Sequence, residues 1–249
     1  MFLWSGTIYG PVRSRRLGLS LGVNLLPPGC KVCTYDCPYC ECGFTRGGLK
    51  TEASQTLPER EEVLRDLEAI LREEPVDAIT FAGNGEPTLH PDLEEILAGT
   101  VRLRDALAPR ARLVMLTNGI KLRDRQVRDR VLHYLDEVEV KLDAGTEETF
   151  AQVARPTVPF DLAELEALLV ELGDRVVVQS CLFTGRTSNV SEADLSGIER
   201  ILTRARPRRV ELYSIDRAPA DEALEPVSKA FLEAFAGRLR AQGLEAVTY

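Results

Sequence analysis

No stretch of this sequence approaches the ~18 uninterrupted apolar residues that a membrane helix needs, so no segment is expected to span a bilayer. Residues 1–16 hold few apolar side chains before glycine, proline and arginine, which excludes a secretory leader, and a cytoplasmic protein is the expectation. Positive charge is also in deficit. With 31 Lys and Arg against 39 Asp and Glu, the formal charge is −8, and general nucleic-acid binding is disfavoured because phosphate contacts need clustered cations. The local exception is Arg13-Ser14-Arg15-Arg16, which reads equally as a solvated or salt-bridged segment and as a site for an anionic substrate. Histidine is rare, with two in 249 residues. Internal repeats, low-complexity tracts and Pro/Gly/Ser linkers are missing, so one domain over residues 1–249 is expected. A short extension covers about 1–17, and a helix and strand cover about 226–249.

Cysteine is absent from most of the chain and then crowded: five of six lie between positions 30 and 42, leaving only Cys181 elsewhere. A secreted disulfide framework would scatter them. Thirteen residues with five thiols point instead to thiolates converging on metal.

Short β-branched runs alternate with longer amphipathic stretches. The pattern predicts strands over 19–25, 78–81, 112–116, 137–142, 176–181 and 210–213. Helices are predicted over 58–73, 91–97, 123–133, 162–172 and 192–205, followed by a helix over 227–242 and a tail strand over 245–248. Thr56 and Ser191 stand where a hydroxyl would cap the first and fifth of these helices. In the first helix Val63, Leu67, Ile70 and Leu71 form one apolar stripe. Crossovers of this length imply a parallel sheet with helices outside, as an open barrel or a doubly wound sheet.

Directly after the first strand, Cys33, Cys37 and Cys40 have the spacing C-x3-C-x2-C, with Tyr39 before the third. Three thiolates can hold three irons of a cubane cluster and leave the fourth open, whereas simple electron-transfer clusters take four cysteines. A zinc knuckle is the alternative, but zinc wants four ligands in a closed tetrahedron, and both histidines are distant in sequence. Cys30, Cys42 and Cys181 are either inert or the makings of an auxiliary cluster.

Parallel α/β folds place ligands at the carboxyl ends of their strands. After the second predicted strand come Gly83-Asn84-Gly85-Glu86, a turn whose glycines allow close backbone approach beside a carboxylate. After the third come Thr117-Asn118-Gly119, adequate as a plain turn. On the fourth, Lys141 and Asp143 share a face opposite Val140 and Leu142. Pointing inward, they either pair with each other or bind a ligand. The fifth ends Gln179-Ser180-Cys181 and the sixth Tyr213-Ser214-Ile215-Asp216-Arg217, where either can line a cofactor or substrate pocket.

These motifs together resemble the radical S-adenosylmethionine superfamily. The resemblance implies an open (β/α)6 partial TIM barrel holding a [4Fe-4S] cluster on Cys33, Cys37 and Cys40, and S-adenosylmethionine on its open iron. It further implies cofactor contacts from Tyr39, from Gly83, Asn84, Gly85 and Glu86 (the family's "GGE" motif), from Thr117 and Asn118, and from Lys141, Asp143 and Gln179. An external one-electron donor of flavodoxin or ferredoxin type would reduce the cluster, and a 5′-deoxyadenosyl radical would abstract hydrogen from a substrate. Residues 10–18 (GPVRSRRLG) and 213–220 (YSIDRAPA) resemble a narrower group, the prokaryotic proteins similar to wyosine-type tRNA synthetases, over most of the chain from about residue 10. Other reaction types compatible with the superfamily are tRNA modification, glycyl-radical activation and peptide or protein modification. Outside it stand an iron–sulfur electron carrier, which has no need of the G-x-G-E turn or the Lys141/Asp143 pair, and a zinc-binding module.

Overall fold

The computed structural model describes residues 2–45 and 56–249. In chain order the elements are β1 (Ile8–Ser14), β2 (Gly18–Val23), α1 (Arg60–Glu73), β3 (Ala78–Phe81), α2 (Leu93–Leu107), β4 (Arg112–Thr117), α3 (Arg125–Tyr134) and β5 (Glu137–Lys141). Then follow α4 (Glu147–Val153), α5 (Leu162–Leu172), β6 (Val177–Cys181), β7 (Phe183–Gly185), α6 (Glu192–Ala205), β8 (Arg209–Tyr213), β9 (Leu224–Pro226), α7 (Lys229–Ala241) and β10 (Ala246–Thr248). Eight strands form one curled sheet in the order β1-β2-β3-β4-β5-β6-β8-β10, a half-barrel. β1 runs antiparallel to β2 and every other neighbour is parallel. β7 and β9 pair separately and antiparallel.

The strands are short apolar runs because both faces are covered: all four residues of β3 are buried. The helices cover the outer face, and α1 contributes Val63, Leu67 and Leu71 to the core from the predicted stripe. Among the described residues no helix is long and apolar enough to cross a membrane.

Three local expectations are corrected. α1 starts at Arg60, with Glu59 at its N-cap and no side-chain cap bond, so Thr56 does not cap it. Pro58 lies outside the helix, its carbonyl accepting from His90 Nε2 at 2.9 Å. Ser191 does cap α6, accepting from Asp194 N. α2 continues ten residues beyond the predicted end, to Leu107, straight through Gly99. That glycine is there for closeness, because a Cβ on it would lie 2.5 Å from Leu64 Cδ1 on α1. Residues 8–14, read as extension, form edge strand β1. Gly10-Pro11 breaks the alternation that would have revealed it, and the pairing register shifts between Tyr9 and Val12.

Candidate active site

The cysteine loop leaves β2 and is stitched down on two sides. On one, Val32 bridges Gly85, with Val32 N donating to Asn84 O (2.9 Å) and Glu86 N to Val32 O (3.0 Å). On the other, Asp36 N donates to Ala154 O and Thr157 N to Thr34 O, both at 2.9 Å. Cys33 and Cys37 are buried and Cys40 half-buried. Cys33 Sγ accepts from Tyr35 N (3.4 Å) and Asn118 Nδ2 (3.6 Å). Burial pushes the Cys33 thiol up and Cys37 to about 12, while the Cys42 thiol beside Cys40 draws it down to about 6. Lys31, itself buried, donates to Gly43 O at 3.0 Å. Burial opposes its charge, but the three cysteines and Asp36 hold its pKa above the ordinary value.

The donor set discriminates between metals. Sulfurs on one tetrahedral zinc lie about 3.8 Å apart, given Zn–S of about 2.3 Å. Among the described residues the one group of three ligand-type side chains with all donor atoms within 4.8 Å is Glu137, Glu139 and Glu211. Cys33, Cys37 and Cys40 do not form such a group. Three thiols on one loop fall one ligand short of a closed zinc tetrahedron and fit a cubane cluster with one open iron, and Lys31 offsets part of their thiolate charge. Cys30, Cys42 and Cys181 are not gathered within that distance either. Cys42 instead donates to Gly83 O at 3.3 Å, and Cys181 packs against Val153, Phe183 and Leu224.

The turn after β3 joins this loop to the strand ends. Asn84 is buried, with Nδ2 donating to Trp4 O (2.9 Å) and Pro27 O (3.0 Å), so its amide secures the N-terminal segment. Glu86 is buried too. Its Oε1 accepts from Thr88 Oγ1 (2.6 Å) and Thr117 Oγ1 (2.7 Å), and its Oε2 from Asn118 N (2.8 Å). Burial raises its pKa against these hydrogen bonds. Asn118 Nδ2 then reaches Thr34 Oγ1 at 2.8 Å. Glu86, Thr117, Asn118 and Cys33 thus form one buried polar network, brought together from β3, β4 and the cysteine loop.

A second network closes over the end of β5. Lys141 Nζ lies 3.0 Å from Asp143 Oδ1 and donates to Tyr213 Oη at 2.6 Å. Tyr39 Oη donates to Asp143 Oδ2 at 2.5 Å, and Cys181 N to Asp143 Oδ1 at 2.7 Å. The Lys141 ammonium also sits 4.7 Å from the Tyr213 ring centre and 5.2 Å from that of Tyr39. Burial opposes the lysine's charge, and Asp143 with Tyr213 more than reverses this. The inward pair expected from the alternation is therefore present, and it ties the third cysteine's neighbour to β5 and β8.

Gln179 belongs elsewhere. Its Nε2 donates to Glu139 Oε2 and, at 3.3 Å, to Glu211 Oε2, and in the sheet it stands between Lys141 of β5 and Glu211 of β8. Arg16 Nη1 contacts both carboxylates at 3.2 Å, and Arg209 Nη2 contacts Glu137 (3.2 Å) and Glu211 (2.7 Å). Glu137, Glu139 and Glu211 stand in none of the motifs above. The alternation that placed Lys141 inward would have found the first two, since they lie two and four residues before it on the same strand face.

Between these networks lies a cavity of about 430 Å³. Its upper wall includes Tyr39, Cys40 and Gly83, and Arg16 and Tyr249 also line it. A cavity of this size falls within the range of organic-ligand sites, roughly 300–1,000 Å³.

A sequence profile described as "Radical SAM superfamily" matches residues 29–164, more than half of the chain. A UPF0026 protein of Helicobacter pylori (strain J99) is 31% identical over 222 residues, 87% of this chain and 68% of that protein. A protein of Brachyspira hyodysenteriae named GTPase Obg is 31% identical over 228 residues, 91% of this chain but 32% of its own length. The chain spans between about a third and two thirds of the first curated relatives it matches. Among solved structures, a radical SAM methyltransferase from Sphaerobacter thermophilus superposes with a TM-score of 0.68 at 20% identity, covering 92% of this chain and 65% of that one. That likeness establishes the partial-barrel fold. With the cysteine loop, the turn after β3 and this profile in agreement, the chain belongs to the radical SAM superfamily.

Proposed function

We propose that Cys33, Cys37 and Cys40 hold a [4Fe-4S] cluster, that S-adenosylmethionine binds beside it in the cavity, and that the pair serves hydrogen abstraction from a substrate in the barrel. The observation that carries this is the loop itself: three cysteines, of which Cys40 lines the cavity, pinned by the Gly83–Glu86 turn on one side and the 154–157 segment on the other. When bound, the two groups supply a 5′-deoxyadenosyl radical by reductive cleavage of the sulfonium.

The chain's own work is to bind, orient and exclude water. Gly83 lines the cavity and offers its backbone to the amino-acid end of the cofactor, Gly85 lets the cysteine loop seat against the turn, and Glu86, Thr117 and Asn118 hold that loop in register with β3 and β4. Tyr39 lines the cavity at the nucleoside end, and Asp143 and Lys141 hold it in place. Burial of Cys33 and Cys37 keeps solvent off the sulfurs. The half-buried Cys40 marks the side from which an external one-electron donor of flavodoxin or ferredoxin type would reach the cluster.

The likeness of residues 10–18 and 213–220 to the wyosine-type group is read as a likeness of the substrate chamber. The two stretches meet across the cavity, where Arg15 Nη2 lies 3.3 Å from Asp216 Oδ2 and the Arg16 guanidinium stacks 5.3 Å from the Tyr213 ring centre.

Anaerobic reconstitution with iron and sulfide, followed by dithionite and S-adenosylmethionine, tests the proposal. About four irons per chain and 5′-deoxyadenosine that disappears in Cys37→Ala are expected. Zinc alone, with no cleavage of the sulfonium, would overturn it.

A further inference from the structure

Arg16 is unlike the other arginines around the cavity. Arg15 pairs with Asp216 and Arg217 with Glu41, all four side chains well exposed. Arg16 instead reaches into the barrel from the loop between β1 and β2, and its side chain is 19% exposed. Its Nη1 is held at 3.2 Å by Glu139 and by Glu211, both completely buried, and Tyr213 covers it at 5.3 Å. Four groups on three different strands therefore fix one guanidinium: Glu139 on β5, Gln179 (through Glu139 and Glu211) on β6, and Glu211 and Tyr213 on β8.

This arrangement uses Nη1 and one face of the plane. Among the described residues Nε and Nη2 meet no protein acceptor, and the side chain lines the cavity. Nε and Nη2 make a fork of two parallel donors, the geometry that matches the two oxygens of a carboxylate or phosphoryl group. A guanidinium held by buried carboxylates on one edge and a ring on its face is pre-organised to present the other edge. The same Tyr213 accepts from Lys141, so a group seated on Arg16 lies one side chain away from the network below the cofactor end.

We infer that Arg16 is the specificity-determining residue of the substrate chamber, and that the substrate carries an oxyanion, a carboxylate or phosphoryl group, which docks on the Nε–Nη2 edge of this guanidinium. The inference rests on the cofactor end of the cavity being assigned as above. A substrate bound at Arg16 points its remaining atoms up the cavity, past Tyr213 and Cys181, toward Tyr39 and Cys40. Exposed Arg13 and Arg15 at the rim add local positive potential in a chain of net charge −8, which favours approach of an anion at this mouth over the rest of the surface.

The test uses the full chain, reconstituted with iron and sulfide and held with S-adenosylmethionine in the absence of reductant. Phenyl phosphate, phenylacetate and uncharged phenylacetamide are titrated by calorimetry and ligand-observed NMR. At least one anion is expected to bind tenfold or more tightly than the amide, and the tighter of the two identifies the phosphoryl or the carboxylate class. Arg16→Lys keeps a charge for Glu139 and Glu211 but lacks the fork, and is expected to lose that preference. Arg102→Gln, on the outer surface of α2, is expected to retain it. Should Arg16→Lys fail to fold, the double variant R16Q/E139Q, which replaces the contact by two amides, is expected to show the same loss. The inference is overturned if the amide binds within twofold of both anions, if none of the three binds, or if Arg16→Lys keeps the preference. Iron content and 5′-deoxyadenosine formation, read separately, report on the cofactor assignment, and either result can fail without the other.

Discussion

Replacing Gly85 by alanine measures how tightly the turn after β3 holds the cysteine loop. Gly85 sits at φ +139°, where residues with a side chain are rarely found, and an added Cβ would lie 1.8 Å from Val32 O and 2.5 Å from Val32 C. These are backbone atoms one residue before Cys33, so no rotamer change relieves the contact. Relief means sliding the loop off the turn and giving up two hydrogen bonds, Val32 N to Asn84 O and Glu86 N to Val32 O. At about 1 kcal/mol for each bond and about 1–3 kcal/mol for the strained backbone, the loss is about 3–5 kcal/mol. For a chain of this size that lowers Tm by roughly 10 °C. Urea titration of the iron-free protein gives the stability, and iron bound after reconstitution gives the state of the loop. Both are expected to fall together. A G85A protein within about 1 kcal/mol of the native one, and binding iron normally, would refute the claim that this turn positions the sulfurs.

Gly237 is the counter-case: it is exposed within α7 and a Cβ there meets nothing within 4 Å, so Gly237→Ala is expected to stabilise by about 0.5–1 kcal/mol and leave iron binding unchanged. Lys141→Met leaves Asp143 buried without its cation, at a cost of about 3–5 kcal/mol. The double variant K141M/D143N is expected to recover most of that stability but not 5′-deoxyadenosine formation, and regained cleavage would reduce the pair to a structural one. Burial pushes the Glu139 carboxyl up to about 8, with Glu211 and Glu137 adding to the shift and Arg16 opposing it. The folded chain therefore keeps a proton that the unfolded chain releases above about pH 4.3. That contribution to stability is complete below this pH and is lost as pH rises toward 8. Thermal unfolding between pH 5 and 8.5 is expected to show a decline in Tm that Glu139→Gln flattens, and equal slopes in the two proteins would rule this out.

Much of the molecule is legible in the sequence because its signals are local. A run such as Ala78–Phe81 is a buried strand wherever it sits, thiols four and three positions apart share one loop, and the alternation that puts Lys141 and Asp143 on one face follows from strand geometry alone. Helix ends were read less well, since Gly99 looks like a stop until Leu64 of a neighbouring helix is seen against it. What only the tertiary structure decided is which polar side chains spend themselves on their own chain. Glu86 is occupied by Thr88, Thr117 and Asn118, Asn84 by the N-terminal segment, and Gln179 by two glutamates. No local period relates Arg16 to Glu139 and Glu211, 123 and 195 residues further on. They meet because curling the sheet turns the inward faces of β5 and β8 toward one another and brings the loop between β1 and β2 across the opening. Sequence spacing, then, determined which thiols share the cysteine loop, and closure of the half-barrel decided what faces it.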